Sequence, residues 1–103
     1  SLGQPRILAM LDLTTGLLAQ REDRWDDALH AYQAALRSGQ KANDAGLLAT
    51  AQLNLAGILR IRGDLAGSIE HFEAALDLGQ RIGRSATVSG PLVFPVFISL
   101  FKQ

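Results

Sequence analysis

Histidines, acidic residues, serines and glycine-spaced segments are the features of this chain that could carry chemistry. The two histidines, His30 and His71, lie one position away from equivalence in the two halves of the sequence. Neither has a pair of carboxylates at the helical spacing that a metal site requires, so we expect both to be solvated surface residues. The chain has no cysteine, which excludes disulfides, thiolate catalysis and zinc–thiolate sites.

The other chemical candidates have simpler explanations. The acidic cluster at 23–27 suits a helix N-terminus, where side-chain capping and the helix dipole both favour carboxylates. Ser85 and Ser89 lack the turn that presents a nucleophilic serine. The glycine-spaced segment 79–83 follows a predicted helix rather than a strand, which argues against a phosphate-binding loop. We therefore predict no enzymatic activity, no metal site and no cofactor.

Length and charge narrow the class of protein further. With 103 residues the chain is long enough for one small domain. Ten basic and ten acidic residues give a formal net charge of zero, so there is no basic excess to neutralise phosphates, and we do not expect a nucleic-acid partner. The start of the chain lacks the charged-then-apolar pattern of a signal peptide, and the absence of cysteine fits a reducing compartment. We expect a cytoplasmic protein.

The residues are organised by an internal repeat. The stretch 23–36 recurs 40 positions later as 63–76, and both copies read turn, small residue, aliphatic residue, aromatic residue, then Ala-Ala-Leu. A period of this length indicates stacked structural units. Alanine and leucine dominate residues 6–82, which favours helix. The sequence therefore predicts an all-α helical solenoid in a domain covering 1–84.

Helical periodicity and capping signals divide this domain into two helix pairs. The predicted helices cover about 6–21, 26–41, 45–62 and 65–82, with repeat 1 over about 6–43 and repeat 2 over about 44–83. Asn43 and Asp44 are expected to cap the third helix, Gly63 to end it, and Gly83 to end the fourth. A glycine inside the first helix, Gly16, costs about 1 kcal/mol relative to alanine, which indicates close approach of a neighbouring helix.

The first helix is apolar around most of its circumference. Its apolar residues form two overlapping stripes, made of Ile7, Met10, Leu11 and Leu18 and of Leu13 and Leu17. Such a helix is expected to be packed on two sides.

The two copies resemble tetratricopeptide repeats, in which a small residue of the first helix packs against small and aromatic residues of the second. The small first-helix position is Gly16 in repeat 1 and Ala56 in repeat 2. The second-helix positions in repeat 1 are Ala28, Tyr32 and Ala35. Their counterparts in repeat 2 are Ser68, Phe72 and Ala75. The period of 40 exceeds the usual value of about 34. Asp12 and Gln52 stand where the family usually has a large apolar residue. Armadillo and HEAT repeats share the longer period, but this spacing suits them less.

By this resemblance, the first helices of the repeats line a concave groove that binds a partner. The groove positions are Met10, Leu13, Thr14, Leu17, Gln20 and Arg21 in repeat 1, and Thr50, Leu53, Asn54, Gly57, Arg60 and Ile61 in repeat 2. Repeat 1 is apolar there, so the implied function is a protein–protein interaction or scaffold module that binds a peptide or helix. An alternative is that Leu13 and Leu17 pack against a preceding unit. A different function is a ligand-sensing module of a bacterial transcription activator or kinase, with Gln20, Asn54 and Arg60 in a pocket.

The segment 85–103 has a different character. Pro91 and Pro95 disfavour a regular helix, so we expect an extended or capping segment. Its apolar run is too short to span a membrane, which takes about 20 residues. The expected contact residues are Val93, Phe94, Val96, Phe97, Ile98, Leu100 and Phe101.

Three arrangements of this tail remain open at the level of sequence. Residues 91–103 could lie in the concave groove of the same chain or of a second chain, and the second case would make a homo-oligomer. They could instead form a distorted cap against the last helix, or be foreign to the family. Residues 2–4 echo residues 78–80, which indicates a fragment of a larger regulatory protein.

Overall fold

A computed structural model of the chain describes residues 3–85, which form four α-helices and contain no strand. The helices are α1 (Gln4–Arg21), α2 (Trp25–Ala42), α3 (Ala45–Ile61) and α4 (Leu65–Ser85). α1 packs on α2, α3 packs on α4, and the two pairs join through α2 and α3. The predicted all-α solenoid of about two repeats is thereby confirmed. The tail residues that were expected to make contacts lie outside the described residues.

The turn inside each helix pair has the same backbone geometry. Asp23 and Gly63 both adopt a left-handed conformation, with φ of 61° and 90°. In each turn the next amide, that of Arg24 or of Asp64, donates to a carbonyl five residues earlier, at 2.8 Å and 2.9 Å. Glycine is the usual residue at such a position, and aspartate is one of the few others that tolerate it. The turn therefore survives the change from glycine to aspartate in repeat 1.

The predicted cap at Asp44 is confirmed, but the roles predicted for Asn43 and Gly83 are wrong. Asn43 has φ of 52° and ends α2, while Asp44 alone caps α3, its Oδ1 accepting a hydrogen bond from the Leu47 amide at 3.1 Å. A left-handed asparagine closes a helix much as glycine does, which explains the role of Asn43. Helix α4 continues through Gly83 to Ser85. A glycine inside a helix costs too little to end it by itself.

Small residues and one tyrosine ring form the core between α1 and α2. Ala19, Ala28 and Ala35 are buried, and Tyr32 is fully buried among them. A Cβ placed on Gly16 would lie 2.4 Å from Tyr32 Cε1, which no real pair of carbon atoms allows. The close approach expected at Gly16 is therefore made by the Tyr32 ring.

Each helix pair also contains a polar contact, made by Asp12 in repeat 1 and by Gln52 in repeat 2. In repeat 1, Ser38 Oγ donates to Asp12 Oδ2 at 3.4 Å. In repeat 2, the Nδ1 atom of His71 pairs with the side-chain oxygen of Gln52. The expectation that His71 is a solvated surface residue is therefore wrong, because its ring is partly buried against α3. His30 is exposed, as expected.

Candidate partner-binding surfaces

One side of α1 presents residues of the predicted groove. Met10, Thr14, Leu17 and Arg21 follow one another at intervals of three or four residues, so they lie along a single side of the helix. All four are exposed, and the apolar Met10 and Leu17 remain 52% and 46% accessible. Helix α3 touches α1. The first helices of the two repeats are therefore neighbours.

Two groove positions of repeat 1 are turned inward. Leu13 is only 8% exposed and belongs to the hydrophobic core. Gln20 is partly buried, and its Oε1 accepts a hydrogen bond from the Tyr32 hydroxyl at 2.8 Å. Burial of the ring raises the pKa of Tyr32, so its phenol stays protonated and donates this bond. The side chain of Gln20 is thus committed to holding Tyr32 in place.

The groove positions of α3 are more polar. Thr50, Arg60 and Ile61 are exposed, and Leu53, Asn54 and Gly57 are partly buried. The Thr50 hydroxyl donates to the Gly46 carbonyl, and the Thr14 hydroxyl on α1 donates to the Met10 carbonyl, both at 2.9 Å. Because both hydroxyls bond to their own helix, the threonines contribute mainly their methyl groups to the surface. The predicted groove is therefore apolar on α1, with polar groups added by α3.

A charged depression lies where the first turn meets the end of α3. It is lined by Asp23, Arg24, Trp25, Asp26, Asp27 and Arg62. Hydrogen bonds to Glu22 and then to Asp27 raise the pKa of Arg24, and Arg62 pairs with Asp26. The pair of Arg62 with Asp26 joins the two repeats at this end. In residues 3–85 no group of three metal-ligating side chains could hold an ion.

The sequence matches the profile of the tetratricopeptide repeat over residues 8–81. The chain belongs to the tetratricopeptide repeat family. Repeats of this family are protein-interaction modules and are typically not catalytic. Comparisons with curated proteins and with solved structures found no significant match. None of the helices within the described range is long and apolar enough to cross a membrane.

A second exposed side of α1 was not recognised in the sequence of this tetratricopeptide repeat protein. Its residues are Ile7, Leu8, Leu11 and Leu18, each at least half exposed. Ile7, Leu11 and Leu18 belong to the apolar stripes that were expected to be packed. The prediction that α1 is covered on two sides is therefore wrong as far as residues 3–85 are concerned. Helical periodicity finds residues that share a side, but it does not show which side has a neighbour.

Proposed function

We propose that this tetratricopeptide repeat unit binds an amphipathic peptide or helix of a protein partner along α1 and α3. The observation that supports the proposal is the exposure of Met10 and Leu17, two turns apart on one side of α1, with the buried Leu13 between them in sequence. Exposed apolar side chains that share one side of a helix are typical of binding surfaces. Methionine adapts to partners of different shape, which suits such a surface.

The polar residues of the groove define the partner more closely. Arg21 and Arg60 are exposed at the C-terminal parts of α1 and α3, and Asn54 adds an amide. A segment with apolar anchors and an acidic residue beside them would complement this surface. Gln20 already holds the Tyr32 hydroxyl. Ligand sensing through Gln20, Asn54 and Arg60 is therefore our second choice of function.

The tail of this chain is one candidate occupant of the apolar part of the groove, since it has no acidic side chain to pair with Arg21 and Arg60. Residues 91–103 include the seven expected contact residues, all of them apolar, and fully burying each of the larger ones is worth about 1.5–3 kcal/mol. We place such a contact either within one chain or between two chains. A contact between two chains would make a homo-oligomer. The proposed setting is a larger regulatory or scaffold protein of the cytoplasm, without a nucleic-acid partner.

A binding assay with a tail peptide tests this proposal. The receptor is a chain that ends at Gly90, and the probe is a labelled peptide of residues 91–103 followed by fluorescence anisotropy. We expect M10E/L17E to weaken binding at least tenfold, because a carboxylate would have to be desolvated in an apolar contact. The matched control is L11E/L18E, which places the same charges on the other exposed side of α1.

The two variants separate groove binding from non-specific attraction to apolar surface. If both weaken the peptide equally, the groove is not the binding site and the proposal fails. Light scattering of the full chain beside the chain that ends at Gly90 then locates the tail. A dimer that becomes a monomer on truncation indicates exchange between chains, and a monomer that loses stability indicates a contact within one chain.

A further inference from the structure

The exposed side of α1 that lies away from the groove has a buried counterpart in the second repeat. Helices α1 and α3 end at Arg21 and Ile61, 40 positions apart. At this spacing Leu11 corresponds to Ala51, and Leu18 corresponds to Ile58. Leu11 and Leu18 are 57% and 50% exposed, whereas Ala51 and Ile58 are fully buried. The same helical side is therefore covered in repeat 2 and uncovered in repeat 1.

Helix α2 provides the cover on α3. A Cβ on Gly39 of α2 would lie 3.2 Å from Leu48 Cδ2 on α3, so the two helices meet closely there. Trp25 and Leu29, near the start of α2, pack against the same core. The side of α1 that carries Leu11 and Leu18 thus fits a helix that resembles α2.

Helix α4 is the one other helix in residues 3–85 that occupies the position of α2 in its repeat. Leu65 and Ile69 of α4 correspond to Trp25 and Leu29 of α2. Trp25 and Leu29 are partly buried, but Leu65 and Ile69 are 62% and 57% exposed. Residues 3–85 therefore have two exposed apolar surfaces, one at each end of the repeat stack. These two surfaces repeat the two sides of the α2–α3 contact.

The orientation of the contact follows from the internal example. Asp26 at the start of α2 pairs with Arg62 just after α3, so the start of one helix lies beside the end of the other. The corresponding residues of the two exposed apolar surfaces are Ala66 and Glu22. A neutral residue meets a charged one there, so no like charges oppose each other. The start of α4, with Leu65 and Ile69, would then lie beside the end of α1.

We propose that two copies of this chain associate head to tail, with α4 of one copy packed on α1 of the other as α2 packs on α3. The contact places Leu65 and Ile69 of one copy beside Leu18 near the end of α1 of the next, and Leu11 continues the same side of α1 towards the middle of α4. This interface uses different surfaces on the two partners, so it leaves one surface of each type free at the ends of the assembly. It also leaves Met10 and Leu17 of the groove outside the contact.

Sedimentation velocity and light scattering of the full chain, from micromolar to near-millimolar concentration, test the proposal. We expect mass to rise with concentration. L11E/L18E should abolish the rise, and M10E/L17E should leave it. A chain that stays monomeric throughout overturns the proposal. Loss of association in M10E/L17E with L11E/L18E unaffected assigns it to the groove and also overturns the proposal.

A mixing experiment tests the head-to-tail geometry. L11E/L18E loses the α1 surface and L65E/I69E loses the α4 surface, so each variant alone should be monomeric. Mixed together, each supplies the surface that the other lacks, and we expect a dimer of one copy of each. A mixture that remains monomeric overturns the proposal, because an α1–α1 or α4–α4 contact would not be restored.

Two controls keep the result interpretable. Circular dichroism of each variant reports helix content, and a double glutamine variant at positions 11 and 18 replaces L11E/L18E if that variant loses helix. F97E/F101E in the full chain removes apolar side chains of the tail and should still associate. If F97E/F101E is monomeric while L11E/L18E associates, the tail makes the oligomer and the end-to-end contact is excluded.

Discussion

Replacing Gly16 by alanine should destabilise the protein, while the same change at Gly57 should not. The Cβ of an alanine at position 16 would lie 2.4 Å, 2.7 Å and 2.9 Å from the Cε1, Cδ1 and Cζ atoms of Tyr32. The ring is fully buried, and its hydroxyl is held by Gln20, so it has little room to move. At Gly57 no atom lies within 4 Å of the added Cβ.

The size of the effect follows from two terms. Alanine in place of glycine inside a helix stabilises by about 1 kcal/mol, and this term applies at both positions. Overpacking a filled core costs about 1–3 kcal/mol, and this term applies only at position 16. Because the helix term cancels in the comparison, we expect G16A to be about 1–3 kcal/mol less stable than G57A. G57A itself should be up to about 1 kcal/mol more stable than the parent chain.

Urea denaturation followed by circular dichroism measures both free energies of unfolding. The dependence of that free energy on urea should be the same in the three proteins, because none changes the surface exposed on unfolding. Equal stability of G16A and G57A would show that the Tyr32 ring moves aside at no cost. That result would refute the inference that the ring is fixed by its surroundings.

Two further predictions concern single side chains. D44A should lower the free energy of unfolding by about 0.5–2 kcal/mol, because Asp44 caps α3 through the Leu47 amide. D44N keeps the cap and should lose less. Equal losses in denaturation experiments would assign the effect to the ion pair of Asp44 with Arg6 instead. Tyr32 is the sole tyrosine, so the tyrosinate absorbance reports it alone. Because burial raises its pKa in the folded state, its titration should occur above the ordinary pKa of about 10, and the stability present below that pH should be lost as pH rises further. A titration at the ordinary pKa in folded protein would contradict the burial of the ring.

The sequence was sufficient for features that depend on local rules. The repeat, the four helices, the left-handed turn at Gly63 and the cap at Asp44 follow from periodicity and backbone preference. The close approach at Gly16 also followed, because a glycine inside a helix needs a packing reason.

Features that depend on which helices become neighbours could not be predicted. Periodicity placed Leu13 and Leu17 on related stripes, but only packing shows that Leu13 enters the core and Leu17 stays exposed. The pairs of Tyr32 with Gln20 and of His71 with Gln52 join residues 12 and 19 positions apart, and no local rule links them. Leu18 is exposed because no helix within residues 3–85 covers that side of α1. The apolar character of Leu18 does not show whether such a helix is present.

The aromatic residues of α2 give the two repeats different optical properties. Trp25 and Tyr32, the only tryptophan and tyrosine of the chain, both lie on α2, and repeat 2 has Leu65 and Phe72 at these positions. Tryptophan fluorescence therefore reports α2 and its contact with α3, while circular dichroism reports all the helices. A repeat protein is stabilised by contacts between neighbouring units, so the two helix pairs need not unfold together. Coincidence of the two signals during denaturation would mean that the α2–α3 contact couples the repeats into one cooperative unit.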